Sequence, residues 1–287
     1  MTIMVRESLF VVPAICTIAR NLGFFSAAGV EAADVMTPSS TAQRADLDSG
    51  RVDVAITSTD NLFAWNASGS DMVLIGQIEK TTDQVLMTRP GLPSLTGASQ
   101  LRLAVDAAGN GFAILAYAML RRIGFQVGSY EVVEVGGVRA RYQALHDGQC
   151  DVSMLAPPLD EAGQARGMTP LIRTRDVDPG YPGLGIVASM DRIKQAELPI
   201  RGYLAALERA RRWIQETPRD AVGAQLTAAG HGPDAVRSVI ELNPPTLRAA
   251  ADGLDVLARL RASLDMVIPG APQPASLLLS ELAKEDH

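Results

Sequence analysis

The chain repeats itself. The phrase Leu47-Asp48-Ser49-Gly50-Arg51-Val52-Asp53-Val54 returns as Leu145-His146-Asp147-Gly148-Gln149-Cys150-Asp151-Val152. Upstream of each copy stand a short β-rich run, a helical stretch and a glycine stop. In the first copy these are Met4-Val5-Arg6 and Leu22-Gly23-Phe24; in the second they are Ala104-Val105-Asp106 and Ile123-Gly124-Phe125. Two copies of one α/β unit make two lobes. Two lobes leave a cleft between them, and such clefts are where small molecules bind.

A chain of 287 residues, 47% hydrophobic and 20% charged, has enough apolar content for a large buried core. Its net charge of −6 and the lack of a Lys/Arg run with interleaved aromatics exclude a nucleic-acid binder. No uninterrupted apolar stretch approaches the roughly 18 residues that span a bilayer, so no membrane insertion is expected. Cys16 and Cys150 read as buried thiols. With no C-x-x-C or H-x-x-x-H spacing, neither a metal nor a cofactor is expected. Met1-Thr2-Ile3-Met4-Val5-Arg6 runs straight into the first strand, with no basic region, apolar region and cleavage site in sequence. As written, the chain is expected to be cytoplasmic. A trimmed or mis-assigned start would make it periplasmic or lipoprotein-anchored.

Each unit reads β-α-β-α-β. In the first, residues 3–7, 32–36 and 53–56 are strands, and residues 12–22 and 41–49 are helices stopped by Gly23 and Gly50. A short helix over 60–67 and strands near 72–78 and 84–88 follow. In the second, strands at 101–105, 130–135 and 151–155 alternate with helices at 112–123 and 139–146. A short helix over 159–165 and strands near 169–173 and 184–189 complete it. Pro90-Gly91-Leu92-Pro93 and Asp178-Pro179-Gly180-Tyr181-Pro182-Gly183 are turn-rich stretches between the halves, which implies two chain crossings and two hinge strands. The last 90 or so residues read as helices that buttress the first lobe, broken at Asn243-Pro244-Pro245.

The order of these phrases resembles the type II periplasmic-binding-protein superfamily. The branch it is most similar to is that of nitrate, sulfonate and taurine receptors and thiamine-pyrimidine synthases. Three features carry the resemblance: Leu47-x-x-Gly50-x-x-Asp53-Val54 with its echo; the opening Leu101-Arg102-Leu103-Ala104-Val105 before a small-residue loop; and the helical region after the returning strand. The resemblance implies an α/β fold of two similar βαβαβ lobes joined by two hinge strands, with a C-terminal helical region. Residues 1–88 with 186–287 would form the first lobe and 89–185 the second. It implies a receptor for a small organic anion working with an ABC permease. The superfamily also holds soluble lyases and decarboxylases. The chain lacks the cysteine-rich motif of the pyrimidine synthases.

Ligands of open parallel sheets sit beyond the carboxyl ends of the strands. That rule selects Arg6, Glu7 and Ser8 after the first strand, Ser39 and Ser40 after the second, and Thr57, Ser58, Asp60 and Asn61 after the third. In the second lobe it selects Asp106, Gly109 and Asn110, then Gly137, Arg139 and Arg141, then Pro157. Ser39–Ser40 and Gly109–Asn110 each precede a helix, whose free N–H groups favour anions or merely take a cap. Arg6 is placed to grip a carboxylate in two parallel hydrogen bonds or to form a structural ion pair. Of Arg139 and Arg141, at least one faces solvent. Phe63 and Trp65 would stack on an aromatic ligand or join the core. His146 reads as a surface residue and His231 as part of a turn. The leading expectation is a solute-binding protein for a sulfonate, nitrate or carboxylate. Its rival is a cytoplasmic lyase, decarboxylase or isomerase using Glu7, Asp60 and Asp106 for acid–base work. A ligand sensor is a third possibility.

Overall fold

A computed structural model describes residues 2–92, 94–95 and 100–283. The first unit runs β1 (Ile3–Leu9), α1 (Ala14–Asn21), α2 (Phe24–Ala27), β2 (Val30–Met36), α3 (Ser40–Asp48), β3 (Val54–Ser58), α4 (Asn61–Ala67) and β4 (Met72–Gln77). After β5 (Val85–Thr88) the second repeats it: β6 (Arg102–Val105), α5 (Gly111–Arg122), β7 (Glu131–Glu134), α6 (Val138–His146), β8 (Val152–Leu155), α7 (Leu159–Gln164), β9 (Thr169–Arg173) and α8 (Thr174–Val177). Then come β10 (Leu184–Ser189), α9 (Met190–Glu216), α10 (Arg219–Ala228), α11 (Pro233–Leu242) and α12 (Ala251–Ser263). Gly23, Gly50, Gly124 and Gly148 all have positive φ, so the sequence stops are left-handed turns that glycine alone enters freely.

Two five-stranded sheets result, ordered β2-β1-β3-β10-β4 and β7-β6-β8-β5-β9. In each, the first three strands are parallel and the fourth is antiparallel to both its neighbours. That fourth strand is the one reached by a crossing of the chain. Val85–Thr88 therefore belongs to the second sheet, not to the first lobe as expected from the sequence. All four of its residues are fully buried, and a strand apolar on both faces has to lie inside a sheet. The equivalent position in the first sheet is filled by β10. The chain thus crosses between Gln77 and Val85 and returns between Arg173 and Leu184. Neither crossing is a strand; the first is bonded to the start of β10, where Ile78 N donates to Leu184 O at 2.9 Å.

The repeated phrase is a clamp. Arg6 N donates to Asp53 Oδ2 at 2.6 Å, Arg6 Nη2 donates to Asp53 Oδ1 at 2.9 Å and to Gly50 O at 3.0 Å, and Asp53 N donates back to Arg6 O. In the second lobe Arg102 N donates to Asp151 Oδ2 and Arg102 Nη2 to Gly148 O, both at 3.0 Å, and Asp151 N donates to Arg102 O. Each aspartate also takes a second arginine lying just past the crossed-over strand: Arg192 Nε on Asp53 at 2.6 Å, and Arg89 Nε on Asp151 at 3.0 Å. Each clamp therefore pins the antiparallel strand to the parallel pair. Burial opposes ionisation of Asp53, but the hydrogen bonds from Arg6 and the charge of Arg192 outweigh it and hold the carboxyl below the usual carboxylate range. Arg6 is structural, and the ligand role expected of it is not supported.

Helices α1, α2, α9 and α10 cover one face of the first sheet, packing Ile15, Phe25, Ile200, Leu207 and Val222 onto Val5, Ile75 and Ile186. The second core is shared by both units. It joins Leu62, Phe63 and Trp65 of α4 to Ile114 and Leu115 of α5 and to Leu254 and Leu257 of α12. Phe63 and Trp65 are core residues, and α12 bridges the lobes instead of buttressing the first.

Replacing Asp53 by asparagine strips two guanidinium groups of their common carboxylate at a position 2% exposed. A loss of about 2–3 kcal/mol is expected in urea unfolding at neutral pH. The gap between variant and wild type should close as pH falls through the lowered carboxyl pKa of Asp53, because the wild type then loses the same charge.

Candidate functional site

The carboxyl ends of the two sheets face one another across a cavity of about 260 Å³. Its apolar walls come from both units: Phe10 and Ile56 from the first, Phe112, Val138, Pro157 and Pro158 from the second, and Leu184 from the start of β10. The cavity continues along α11, which presents Ala235 and Val239, and along the loop before it, which presents His231. This strap is tied at both ends. Glu161 of α7 takes the N–H of Ala235 at 3.0 Å, where the first turn of α11 favours a negative group, and Lys80 N donates to Leu242 O at 2.9 Å.

Of the expected ligand residues, Ser40, Thr57, Asn61, Asn110 and Pro157 line the cavity, as does Asp106. Several of them are bonded across the cleft. Ser40 N donates to Asp106 Oδ2 at 2.8 Å, Gly111 N donates to Asn61 Oδ1 at 2.9 Å, and Asn110 Nδ2 donates to Ser40 Oγ at 3.4 Å; within the second lobe Asn110 Nδ2 also donates to Asp106 Oδ2 at 2.7 Å. The N-terminus of α3, where an incoming anion is expected from the sequence, is thus filled by the carboxylate of Asp106 from the opposite lobe. Ser39 caps that helix, accepting from Ala42 N at 3.1 Å, and does not line the cavity. Gly137 N donates to Pro38 O at 2.8 Å, and the Gly109 carbonyl accepts from Arg261, so both serve lobe–lobe contacts. Ser8 and Ser58 are buried outside the cavity; Ser58 packs against Gly111, at a contact too close for any side chain there.

The basic residue of the cavity is Arg141, not Arg139, which is exposed. Two residues along a helix turn through about 200°, so the pair points opposite ways. Arg141 shares the buried face of α6 with Val138, Ala144 and Leu145, a spacing visible in the sequence. It is only 5% exposed. Its Nε donates to Met154 O at 3.3 Å, and its terminal nitrogens have no acceptor among the described residues. Burial lowers its pKa to about 10, against the pull of Asp106, so it stays charged at neutral pH.

Glu79, Asp83 and Gln84 also line the cavity, and the sequence pattern gives no signal for them. They lie on the first crossing, which strand assignment alone treats as a connection. His231 is equally hidden, because a helical tail reads as a buttress and not as a cavity wall. Its ring meets Thr17 Oγ1 at 3.3 Å, and burial lowers its pKa.

The NMT1/THI5-like family matches residues 13–221. The chain belongs to that family. Solved structures share its fold. The alkanesulfonate-binding protein SsuA of Xanthomonas axonopodis pv. citri, bound to MOPS, is 16% identical with a TM-score of 0.76, over 97% of this chain and 98% of that one. The ligand-binding component of an ABC-type import system from Staphylococcus aureus is 14% identical with a TM-score of 0.77, over 100% and 99%. The periplasmic nitrate-binding protein NrtA of Synechocystis PCC 6803 is 13% identical with a TM-score of 0.66, over 84% and 68%. No curated protein matches the chain. The architecture is the type II periplasmic-binding-protein fold. Among the described residues no group of His, Cys, Asp and Glu is placed to hold a metal, and no helix is long and apolar enough to cross a membrane.

Two of the three carboxylates expected to do acid–base work lie elsewhere. Glu7 is fully buried on the other side of β1, where it accepts from Tyr203, from Arg20 at 3.2 Å and from Cys16 Sγ at 3.6 Å. Successive strand residues face opposite ways, so Arg6 and Glu7 cannot share a site. Asp60 is clasped by Arg261 of α12, which also donates to Gly109 O at 2.9 Å. Burial raises the pKa of Asp60 while Arg261 opposes it.

Burial also lifts Glu7, to about 7 from an ordinary value near 4.5. A raised carboxyl pKa gives stability that is complete below the unfolded value and lost as pH rises through the folded one. Glu7→Gln should therefore gain melting temperature relative to wild type as pH goes from 5 to 8; a constant difference would contradict this. Arg261→Met leaves Asp60 buried without its cation and should cost about 3–5 kcal/mol in chemical unfolding. Most of that loss should disappear in an Asp60→Asn background.

Proposed function

We propose that this chain is the solute-binding component of an importer, capturing a small organic anion with a largely apolar body between its two lobes. The observation that carries the reading is Arg141: a buried guanidinium with open terminal nitrogens in a cavity whose other walls are mostly apolar. A desolvated guanidinium holds carboxylate or sulfonate by paired hydrogen bonds, and the apolar walls take the rest of the ligand. The alkanesulfonate-binding and nitrate-binding proteins that share the fold support this class of ligand. As the binding component of an importer, the chain would work outside the cytoplasmic membrane with a permease as partner, and the periplasmic proteins that share its fold support that alternative over the cytoplasmic one.

In this reading the ligand closes the protein. The bodies that move are the two sheets with their helices, and the pivots are the crossings at residues 78–84 and 174–183. Contacts such as Ser40 to Asp106 and Asn61 to Gly111 form only when the lobes meet, so they contribute to the closed state and not to the open one.

A thermal-shift screen of aryl and alkyl carboxylates and sulfonates should yield stabilising ligands that are recovered chemically unchanged. Arg141→Met should weaken each hit by at least tenfold, in keeping with the roughly 1.5–3 kcal/mol of a hydrogen bond to a charged group. Unchanged affinity would remove Arg141 from the site. Recovery of a lighter or rearranged compound would point to an enzyme.

A further inference from the structure

The cavity wall supplied by the first crossing holds an open acceptor. Glu79 Oε2 takes the N–H of Leu184 at 3.4 Å, while its Oε1 has no donor among the described residues. Gln84 stands in the same wall, but its Oε1 is fully buried and so is not open to a ligand. Asp83 is the third acidic or amide group there, and it is held by Arg173 Nη1 at 3.0 Å. A ligand with nothing but an anionic group would satisfy Arg141 and leave the open oxygen of Glu79 without a donor. Buried acceptors without donors are costly, so the complementary ligand supplies one.

Resting on the reading that an anionic group docks at Arg141, we propose that the ligand also carries a hydrogen-bond-donating nitrogen, an amine or amino group, which docks on Glu79. The substrate class is then an amino-bearing organic acid with an apolar body. Glu79 is the residue that discriminates it from a plain acid. The same carboxylate receives the N–H of Leu184, where the chain re-enters the first sheet, so the amino group is read at the point where the lobes are joined.

On the crossing that carries Glu79 are Asp83 and the exposed Lys80. Beyond Asp83, a neighbouring pocket gathers Arg173, Arg175, Arg237 and Glu241. Arg173 of β9 is committed to Asp83 and stands 3.8 Å from Asp160 of α7. His231, before α11, is neutral at pH 7, since burial lowers its pKa. No cation among the described residues forms an ion pair with Glu79. Burial lifts its carboxyl to about 7, with the N–H of Leu184 opposing and the charge of Asp83 adding to the rise. An ammonium group arriving there favours the ionised form, so binding near pH 7 releases a fraction of a proton.

Two isosteric probes test this: para-(aminomethyl)benzoate and para-ethylbenzoate, titrated calorimetrically at pH 7 in two buffers of different ionisation enthalpy. The amine is expected to bind at least tenfold more tightly and to release protons. Glu79→Gln should bring the two probes to equal affinity, abolish proton release and leave para-ethylbenzoate unaffected. A preference retained in Glu79→Gln, or no preference in wild type, overturns the proposal. If para-ethylbenzoate binds and is lost in Arg141→Met while the amine gains nothing, the inference about Glu79 falls and the reading of Arg141 stands. If wild type binds neither probe, both fall. Should Glu79→Gln not fold, proton release by wild type across pH 6–8 decides instead: release with the amine alone supports the proposal, and equal or absent release overturns it.

Discussion

Each sheet is held by one buried aspartate gripping two arginines. Asp53 and Asp151 stand where a central parallel strand begins, and each gathers an arginine from the neighbouring strand and another from beyond the crossed-over strand. The chain leaves the first sheet after β4 and returns after β9. In each sheet the strand that follows a crossing must find its place without a local connection to guide it. The Arg–Asp–Arg clamp supplies that link, and charge-assisted bonds of this kind are both strong and directional. Everything else, including the position of the cleft, follows from sheets assembled in this order.

The clamps stand away from the cavity. At its edge a different arrangement operates: buried polar groups from the two lobes satisfy each other across the gap. Asp106 caps α3, Asn61 receives the N–H of Gly111, and Arg261 ties Asp60 to Gly109. A cleft lined by so many mutually satisfied groups leaves few polar atoms to a ligand. Those left open, the end of Arg141 and one oxygen of Glu79, therefore define what the cavity recognises. A small number of placed polar groups in an apolar pocket is the usual basis of orientation and specificity.

Much of this architecture is legible in the residues. The repeated phrase announces two lobes, glycine stops mark helix ends, and strand and helix patterns fall close to the observed elements. The loops beyond the strand ends do meet at the cavity, through Ser40, Thr57, Asn61, Asp106, Asn110 and Pro157. What misleads is the fate of charges. Arg6, Glu7 and Asp60 stand close to the expected loops, yet each is tied to a residue far away in the chain or on another element: Asp53, Arg20 or Arg261. Arg139 and Arg141 are separable by helical geometry alone, since only Arg141 continues the buried face of α6.

The sequence by itself determined the elements, their order, the duplicated lobe and the family, because periodicity, caps and turn glycines act over a few residues. The tertiary structure decided which sheet Val85–Thr88 joined, that α12 bridges the lobes, that α11 walls the cavity, and which charged side chains remained open to a ligand. Those outcomes depend on which buried group meets which partner across the fold. Ion pairing and strand placement between distant segments are set by the assembled geometry, and no local pattern encodes them.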